Sequence, residues 1–425
     1  MASPVVATTN TTADTDGTST VINMPASINA GDLLIVWDTN DATGTPRSQS
    51  GGSDWTRIST GANGTVISMA IFAKIATGGD TLTLAGAAQD SATVSARITG
   101  HGVTNVGVDI IIGTPATGLD ASPDPPNVAH GGPQEYLVLE SAHSDDDDDT
   151  ATYWSSGYSA VNQVQSASST TSCLTSVGQL AVSNAAENPG VMALALAEEW
   201  VAQTISVPPV LATEYAKYSD PFTRADNADL GADWDAGYTS QAALQIVGNR
   251  VRATTLGTES METVNAATLT DSKWASVTLA TWTGAVGTYA GVYLQTTAPA
   301  TETGYKLVAA LNDGGARTYL TKVTAGADTT LAQENTTTWA ATDILKLYAI
   351  GTRLIGRRNG VSVLTAVDSA LASGRVGLYG FVGGGGSLAN MELDSFAAGD
   401  FTAPATVTPI PPTIKLDAVH RSFSW

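Results

Sequence analysis

Side chains that could do chemistry are sparse in this chain, and two groups of carboxylates stand out. Glu392 and Asp394, in Glu392-Leu393-Asp394-Ser395-Phe396, are two residues apart in a strand-like run, so both project from the same face. Glycoside hydrolysis needs two carboxyl groups, a nucleophile and a proton donor, roughly 5–5.5 Å apart when configuration is retained, which makes this segment the place to look for one of them. The second group is the run Asp145–Asp149, which follows His143-Ser144. Carboxylate oxygens suit a hard cation, which makes Asp145, Asp147 and Asp149 the candidate calcium ligands and calcium the only cofactor in view. Calcium loops, however, intersperse glycine and carbonyl ligands, and consecutive acids repel one another, so a solvated loop tip is the competing reading.

Other constellations are missing. The four histidines, His101, His130, His143 and His420, fall in apparent loops or in the tail, beside no recognisable base motif. There is no Gly-x-Ser-x-Gly elbow, no His-Glu-x-x-His helix and no phosphate loop. Cys173 stands alone, which excludes an intramolecular disulfide and a multi-thiolate zinc site, and reads as a small buried hydrophobe. Aromatic residues are the remaining handle. Trp282, Tyr289 and Tyr293 lie on or near strand-like runs and could stack on a sugar ring, although packing is the favoured use for such residues.

The elements that must position these groups are strands. In residues 91–100, Ala92, Val94, Ala96 and Ile98 point one way while Thr93, Ser95, Arg97 and Thr99 point the other, the pattern of a half-buried antiparallel strand. Residues 66–75 repeat it with Ile67, Met69, Ile71, Ala73 and Ile75, and residues 33–37 are apolar on both faces, as in a central strand. Residues 136–139, 191–197, 274–282, 289–294 and 345–350 extend the series, with Gly-, Asn- and Pro-containing turns between them. Asn359-Gly360 predicts a type I′ hairpin. No stretch keeps a 3.6-residue period. The expected fold is therefore all-β, with two antiparallel β-sandwich domains at 1–200 and 220–400. Residues 201–219, which contain Pro208-Pro209 and lose the alternation, are expected as a linker.

Composition narrows the partners. The chain has 425 residues, 19 Lys plus Arg against 40 Asp plus Glu, and a net charge of −21. Such acidity repels phosphate backbones and anionic lipid, so neither nucleic acid nor membrane is an expected partner. The apolar runs are too short for a membrane helix, and Met1-Ala2-Ser3-Pro4 lacks the basic start of a secretory signal, which points to synthesis in a reducing compartment. The tail, 401–425, is rich in proline (Pro404, Pro409, Pro411, Pro412) and then apolar. Ile414, Leu416, Phe423 and Trp425 are expected to anchor it to a neighbour in an assembly.

An ordered series of landmarks makes the second half resemble the concanavalin A-like (laminin-G-like) jelly-roll sandwiches. The series opens with Asp220-Pro221-Phe222, Leu230-Gly231, Trp234 and Asn249, and continues through Ala290-Gly291-Val292, Gly304-Tyr305, Gly326 and Asp343. It closes with Asn359-Gly360, Ser373-Gly374, Gly377-Leu378 and Leu393-Asp394-Ser395-Phe396. The first half is similar, through Gly31-Asp32-Leu33-Leu34, Trp55, residues 72–76, Arg97-Ile98-Thr99-Gly100 and a closing strand at 192–196, to β-sandwich domains of tailed-bacteriophage surface proteins. The resemblance implies a non-enzymatic virion component, as a decoration, fibre or tail-tip protein. It would be assembled in the host cytoplasm and displayed on the virion surface, with other virion proteins, copies of itself and host-surface polysaccharide as partners. The alternatives are a bacterial glycan-binding adhesin and an inactive or divergent glycoside hydrolase. Glucanases of this fold carry Glu-x-Asp-x-x-Glu on one strand. Here Ala397 occupies the place of the second glutamate, so no catalytic residue is assigned. Relatives of the second sandwich also hold calcium at the rim.

Overall fold

The structure, a computed structural model, describes residues 3–41, 44–132, 134–145, 154–166, 172–236, 241–265, 269–283, 287–296, 303–312, 315–369 and 374–401. Within them the first half opens with β1 (Val5–Val21), β2 (Leu33–Asp41), β3 (Ser48–Gly51), β4 (Thr56–Asn63), β5 (Ile67–Ile75) and β6 (Thr83–Thr99). These form an antiparallel sheet in the order β1-β6-β2-β5-β4, with β3 on β6. One helical turn, α1 (Val106–Asp109), capped by Asn105, leads to β7 (Ile111–Ile112), β8 (Ala116–Asp120) and β9 (Val128–Ala129). Then come β10 (Tyr136–Asp145), β11 (Ser159–Gln165), β12 (Cys173–Val182), β13 (Ala186–Glu187) and β14 (Glu198–Val207). The facing sheet runs β11-β12-β10-β14-β7, with β8 also on β14.

The alternating residues of β5 and β6 point where their pattern requires. Ile67, Met69, Ile71, Ala92, Val94, Ala96 and Ile98 meet Leu137, Leu139, Val177, Val201, Ile205 and Val207 across the sandwich. The other face of β6 is not solvated, because Thr93 and Ser95 are buried as well. A second apolar layer made by Ile22, Leu34, Val36, Trp55, Phe72, Leu82 and Leu84 covers part of that sheet. Arg47 is buried there against Asp38, within reach of Thr20 and Thr93.

In the second half follow β15 (Glu214–Asp220), β16 (Trp234–Ala236), β17 (Leu244–Ile246), β18 (Val251–Ala253), β19 (Ser260–Val264) and β20 (Lys273–Trp282). They continue as β21 (Thr288–Thr296), β22 (Gly304–Asn312), β23 (Gly315–Thr324), β24 (Ala327–Glu334) and β25 (Ile344–Ile350). The series ends with β26 (Arg353–Arg358), β27 (Val361–Val367), β28 (Arg375–Val382) and β29 (Met391–Phe401). One sheet has the order β17-β18-β29-β20-β25-β26-β27, with β15 on β29, and the other β16-β19-β28-β21-β22-β23-β24. Between them lies an apolar core containing Leu244, Val277, Leu279, Val292, Leu294, Leu307, Leu347, Leu378, Leu393 and Phe396. The fold is all-β, built from antiparallel sandwiches. The Asn359-Gly360 hairpin joins β26 and β27 with φ of 51° and 85°, as a type I′ turn requires.

Several expectations need correction. Much of the expected linker is strand: β14 runs to Val207 and β15 starts at Glu214, leaving 208–213 between them. The strand was hidden because β14 is buried on both faces, with Gln203 among the aliphatics Val201, Ile205 and Val207 on the core side and with Thr204 and Ser206 buried on the other. Conversely, residues 191–197 form no regular strand. Met192 and Leu194 bond the carbonyls of Pro123 and Ala121, a proline-containing loop that cannot extend a ladder. His143 lies not in a loop but inside β10. The tail residues Ile414, Leu416, Phe423 and Trp425 lie outside the described residues.

The two halves also touch. Asn105 donates to the Ser362 carbonyl at 3.0 Å, and Arg353, 1% exposed, donates to the Asp109 carbonyl at 3.1 Å. α1 thus packs against β26 and β27.

Candidate functional site

β21 organises a grid of side chains on the outer face of the seven-stranded sheet of the second sandwich. Its residues Tyr289, Gly291 and Tyr293 point away from the main core. They stand in register with Phe381, Tyr379 and Gly377 of β28 on one side and with Ala310, Val308 and Lys306 of β22 on the other. β23 extends the same rows with Arg317, Tyr319 and Thr321.

Gly377, Gly291 and Ala310 form the diagonal of that grid. A Cβ on Gly291 would come within 2.5 Å of the Leu307 carbonyl oxygen, and one on Gly377 would run into the Glu262 carbonyl. Close approach of neighbouring backbones therefore fixes glycine at both places. Without side chains there, the larger neighbours can lie against the sheet. Tyr293 is completely buried and Tyr379 and Lys306 are nearly so, the two tyrosine rings meeting edge-on at 6.1 Å between centroids.

Above this layer is a shallow cleft of about 390 Å³. Its rings are Tyr289, Tyr319, Tyr379 and Phe381, with Glu259 on one flank and Thr321, Asp328 and Thr330 on the other. Tyr289 and Phe381 pack edge to face at 5.5 Å, and both, like Tyr319, are only half-buried. The Lys306 ammonium lies 4.9 Å from the Tyr379 ring centre and pairs with Asp328 at 2.7 Å. Tyr379 donates its hydroxyl to Glu259 Oε1 at 2.7 Å. The floor is thus aromatic, its charges are mostly paired, and its flanks offer hydroxyls and carboxylate oxygens. A cleft of this kind can stack apolar ring faces and hydrogen-bond equatorial hydroxyls.

The sequence candidates divide around this geometry. Tyr289 lines the cleft, and Tyr293 lies beneath it as support. Trp282 does neither: it ends β20 in the opposite sheet, pairs with Met391 and packs on the main core. Tyr319, Tyr379, Phe381, Lys306, Glu259 and Asp328 were not singled out from sequence. Their signal was the i, i+2 spacing of Gly377, Tyr379 and Phe381 in a strand whose other face is also apolar, so no polar side marked the exposed face.

Glu392 is held in place and far from free. Its carboxylate accepts from Arg250 at 2.8 Å, from Thr281 at 2.5 Å and from Arg252. Burial alone would push its pKa up, but the Thr281 hydroxyl and the two guanidiniums outweigh that and hold it below the usual carboxylate range. A proton donor at neutral pH needs the reverse shift. Asp394 instead bonds the amide of Ser395, which has a φ of 51°.

Asp145, at the end of β10, has Glu198 and Glu199 as neighbours, with one oxygen of each within 4.8 Å of the others. Asp147 and Asp149 lie outside the described residues. His143 is sealed between the sheets, 2.6 Å from the Thr39 hydroxyl and 3.1 Å from that of Ser141. Burial pushes its pKa down to about 3, and no substrate can reach it. Cys173 is fully buried, and burial pushes its thiol pKa up.

No protein-family profile matches the chain. No curated protein matches it either. Among solved structures, a carbohydrate binding module (CBM66) from Bacillus subtilis is similar at 15% identity and a TM-score of 0.30, covering 41% of this chain and 96% of its own. The laminarinase from Rhodothermus marinus is similar at 10% identity and 0.34, covering 45% and 100%. The exoplasmic/lumenal domain of VIP36, in a form described as bound to Ca²⁺ and Man, is similar at 11% identity and 0.34, covering 45% and 94%. Among the described residues, no helix is long and apolar enough to cross a membrane.

Proposed function

We propose that this protein is a glycan-binding module and that the cleft over β28, β21, β22 and β23 is where the sugar sits. The observation that carries this reading is the cluster of half-buried rings, Tyr289, Tyr319 and Phe381, gathered on one outer sheet face with Glu259, Thr321 and Asp328 at its margins. Aromatic side chains on the outside of a sandwich have no core to fill, and rings sunk to half their depth are ready to stack without much ordering cost. Solvent-facing strands β23 and β24 leave the cleft open along its length, which suits an internal stretch of polysaccharide as well as a chain end.

The proposal is binding without cleavage. The two carboxylates of the cleft are each held by a donor of the protein, Glu259 by Tyr379 and Asp328 by Lys306. Carboxylates beside an aromatic floor also suit a glycoside hydrolase, and release of soluble sugar from a bound polymer would favour that second reading. A place on a virion surface, with virion proteins and copies of the chain as partners, rests on the sequence resemblance alone.

Retention of the purified chain on a panel of insoluble polysaccharides tests the reading. Tyr319→Ala removes a ring that lines the cleft without entering the main core, so affinity for the retained polymer should fall about tenfold, the scale of one lost stacking contact. Undiminished retention of Tyr319→Ala and of Phe381→Ala would rule the cleft out.

A further inference from the structure

Among the described residues of this outer face, one cation has no ion pair. Arg375 is paired with Asp235, and Lys306 with Asp328. Arg317, among the described residues, has no ion pair, and its Nε is buried with no hydrogen-bond acceptor. The register places it two residues from Tyr319 on the same face of β23 and directly across from Ala310, whose other partner is Tyr289. Arg317 therefore borders the cleft, outside its lining residues, next to Tyr319 along β23 and one short residue, Ala310, away from Tyr289.

A buried donor without an acceptor is rare enough to need an explanation. A guanidinium offers two parallel N–H groups that match the planar oxygens of a carboxylate, and a charge-assisted pair of that kind is strong as well as directional. We infer that Arg317 reads the carboxylate of a hexuronate unit in a glycan stacked on the Tyr289 and Tyr319 rings, making it the specificity-determining residue of the cleft. The inference rests on the glycan reading above. The acidity of the whole chain does not oppose it strongly, because exposed charges beyond about 8 Å are largely screened at physiological salt. The nearest acids of the cleft, Glu259 and Asp328, are already held by Tyr379 and Lys306.

The test pairs two probes with the same rings and different charge, oligogalacturonate and its methyl ester, titrated into the full chain. The free acid should bind at least about tenfold more tightly at physiological salt, the scale of a charge-assisted hydrogen bond. The ratio should shrink at high salt. Arg317→Gln should bring the ratio to about one, and Arg317→Lys should restore part of it without the bidentate geometry. Thermal melting of each variant establishes that it is folded. Equal wild-type affinity for acid and ester, or an unchanged ratio in folded Arg317→Gln, overturns the assignment. Binding of neutral β-glucans with no binding of either probe overturns this inference alone, whereas failure to bind any glycan brings down the cleft reading itself.

Discussion

The two sandwiches place their polar residues differently. The first turns many of them inward: Thr39 with His143 and Thr175, and Ser59 with Gln203, form hydrogen bonds between its sheets, and Arg47 and Asp38 pair out of reach of water under the Ile22–Leu84 layer. The second keeps a largely aliphatic and aromatic core and puts its spare aromatics on an outer face. A polar group satisfied internally fixes a geometry but is lost to any ligand. The first sandwich therefore reads as scaffold, and the second as the part that meets something else.

The largest expected effect is on the scaffold side. Asp38→Ala leaves the Arg47 guanidinium buried without its partner, which should cost roughly 3–5 kcal/mol of stability. Urea unfolding should show this loss in the first sandwich, while the cleft keeps its affinity under native conditions. A loss of less than about 1 kcal/mol would mean the pair is solvated in solution.

pH should pull the two regions in opposite directions. His143, pushed down to about 3 from 6.5 by burial, is protonated more readily in the unfolded chain, so it withdraws stability from the first sandwich as pH falls below 6.5. Glu262 is pushed up to about 8 from 4.5 by burial, despite accepting the amides of Leu230 and Leu244. It holds its proton longer when folded, so stability of the second sandwich falls as pH rises from 4.5 through 8. Glu140, raised to about 7, acts in this second direction within the first sandwich, so variants make the sharper test. Urea midpoints measured across pH 4–9 should flatten on the acid side for His143→Gln and on the alkaline side for Glu262→Gln. Parallel curves for wild type and variant would show that the group does not titrate as its burial requires.

The smallest expected effect concerns the aromatic that the structure moves away from the site. Trp282→Phe should leave glycan affinity within about twofold, because its ring packs on the opposite sheet's side of the core. A clear loss would place sugar on the wrong face.

Much of this architecture was legible because alternation is a direct imprint of a one-sided core. Residues 67–75 and 92–98 declared both strand and facing side, and Asn359-Gly360 declared its turn. Legibility failed where both faces of a strand are covered. β14 hides polar residues inside and was read as linker, and β28 hides an exposed aromatic row behind an equally apolar inner row. Tyr289 was singled out as a residue that could stack on a sugar and does line the cleft, but nothing in its local sequence names Tyr319 or Phe381 as neighbours. That adjacency depends on the order β28-β21-β22-β23, whose outer strands lie far apart along the chain. Glu392 was suspect for its spacing, and only the fold brings Arg250 and Arg252 onto its carboxylate.

Hydrogen–deuterium exchange of the full chain, with and without a saturating amount of a retained polysaccharide, tests most directly whether the outer face of the second sandwich is the binding surface. Protection should appear in β21, β22, β23 and β28, with the first sandwich unchanged. Protection confined to the first sandwich, or to the β20–β29 side where Trp282 and Glu392 lie, would contradict it.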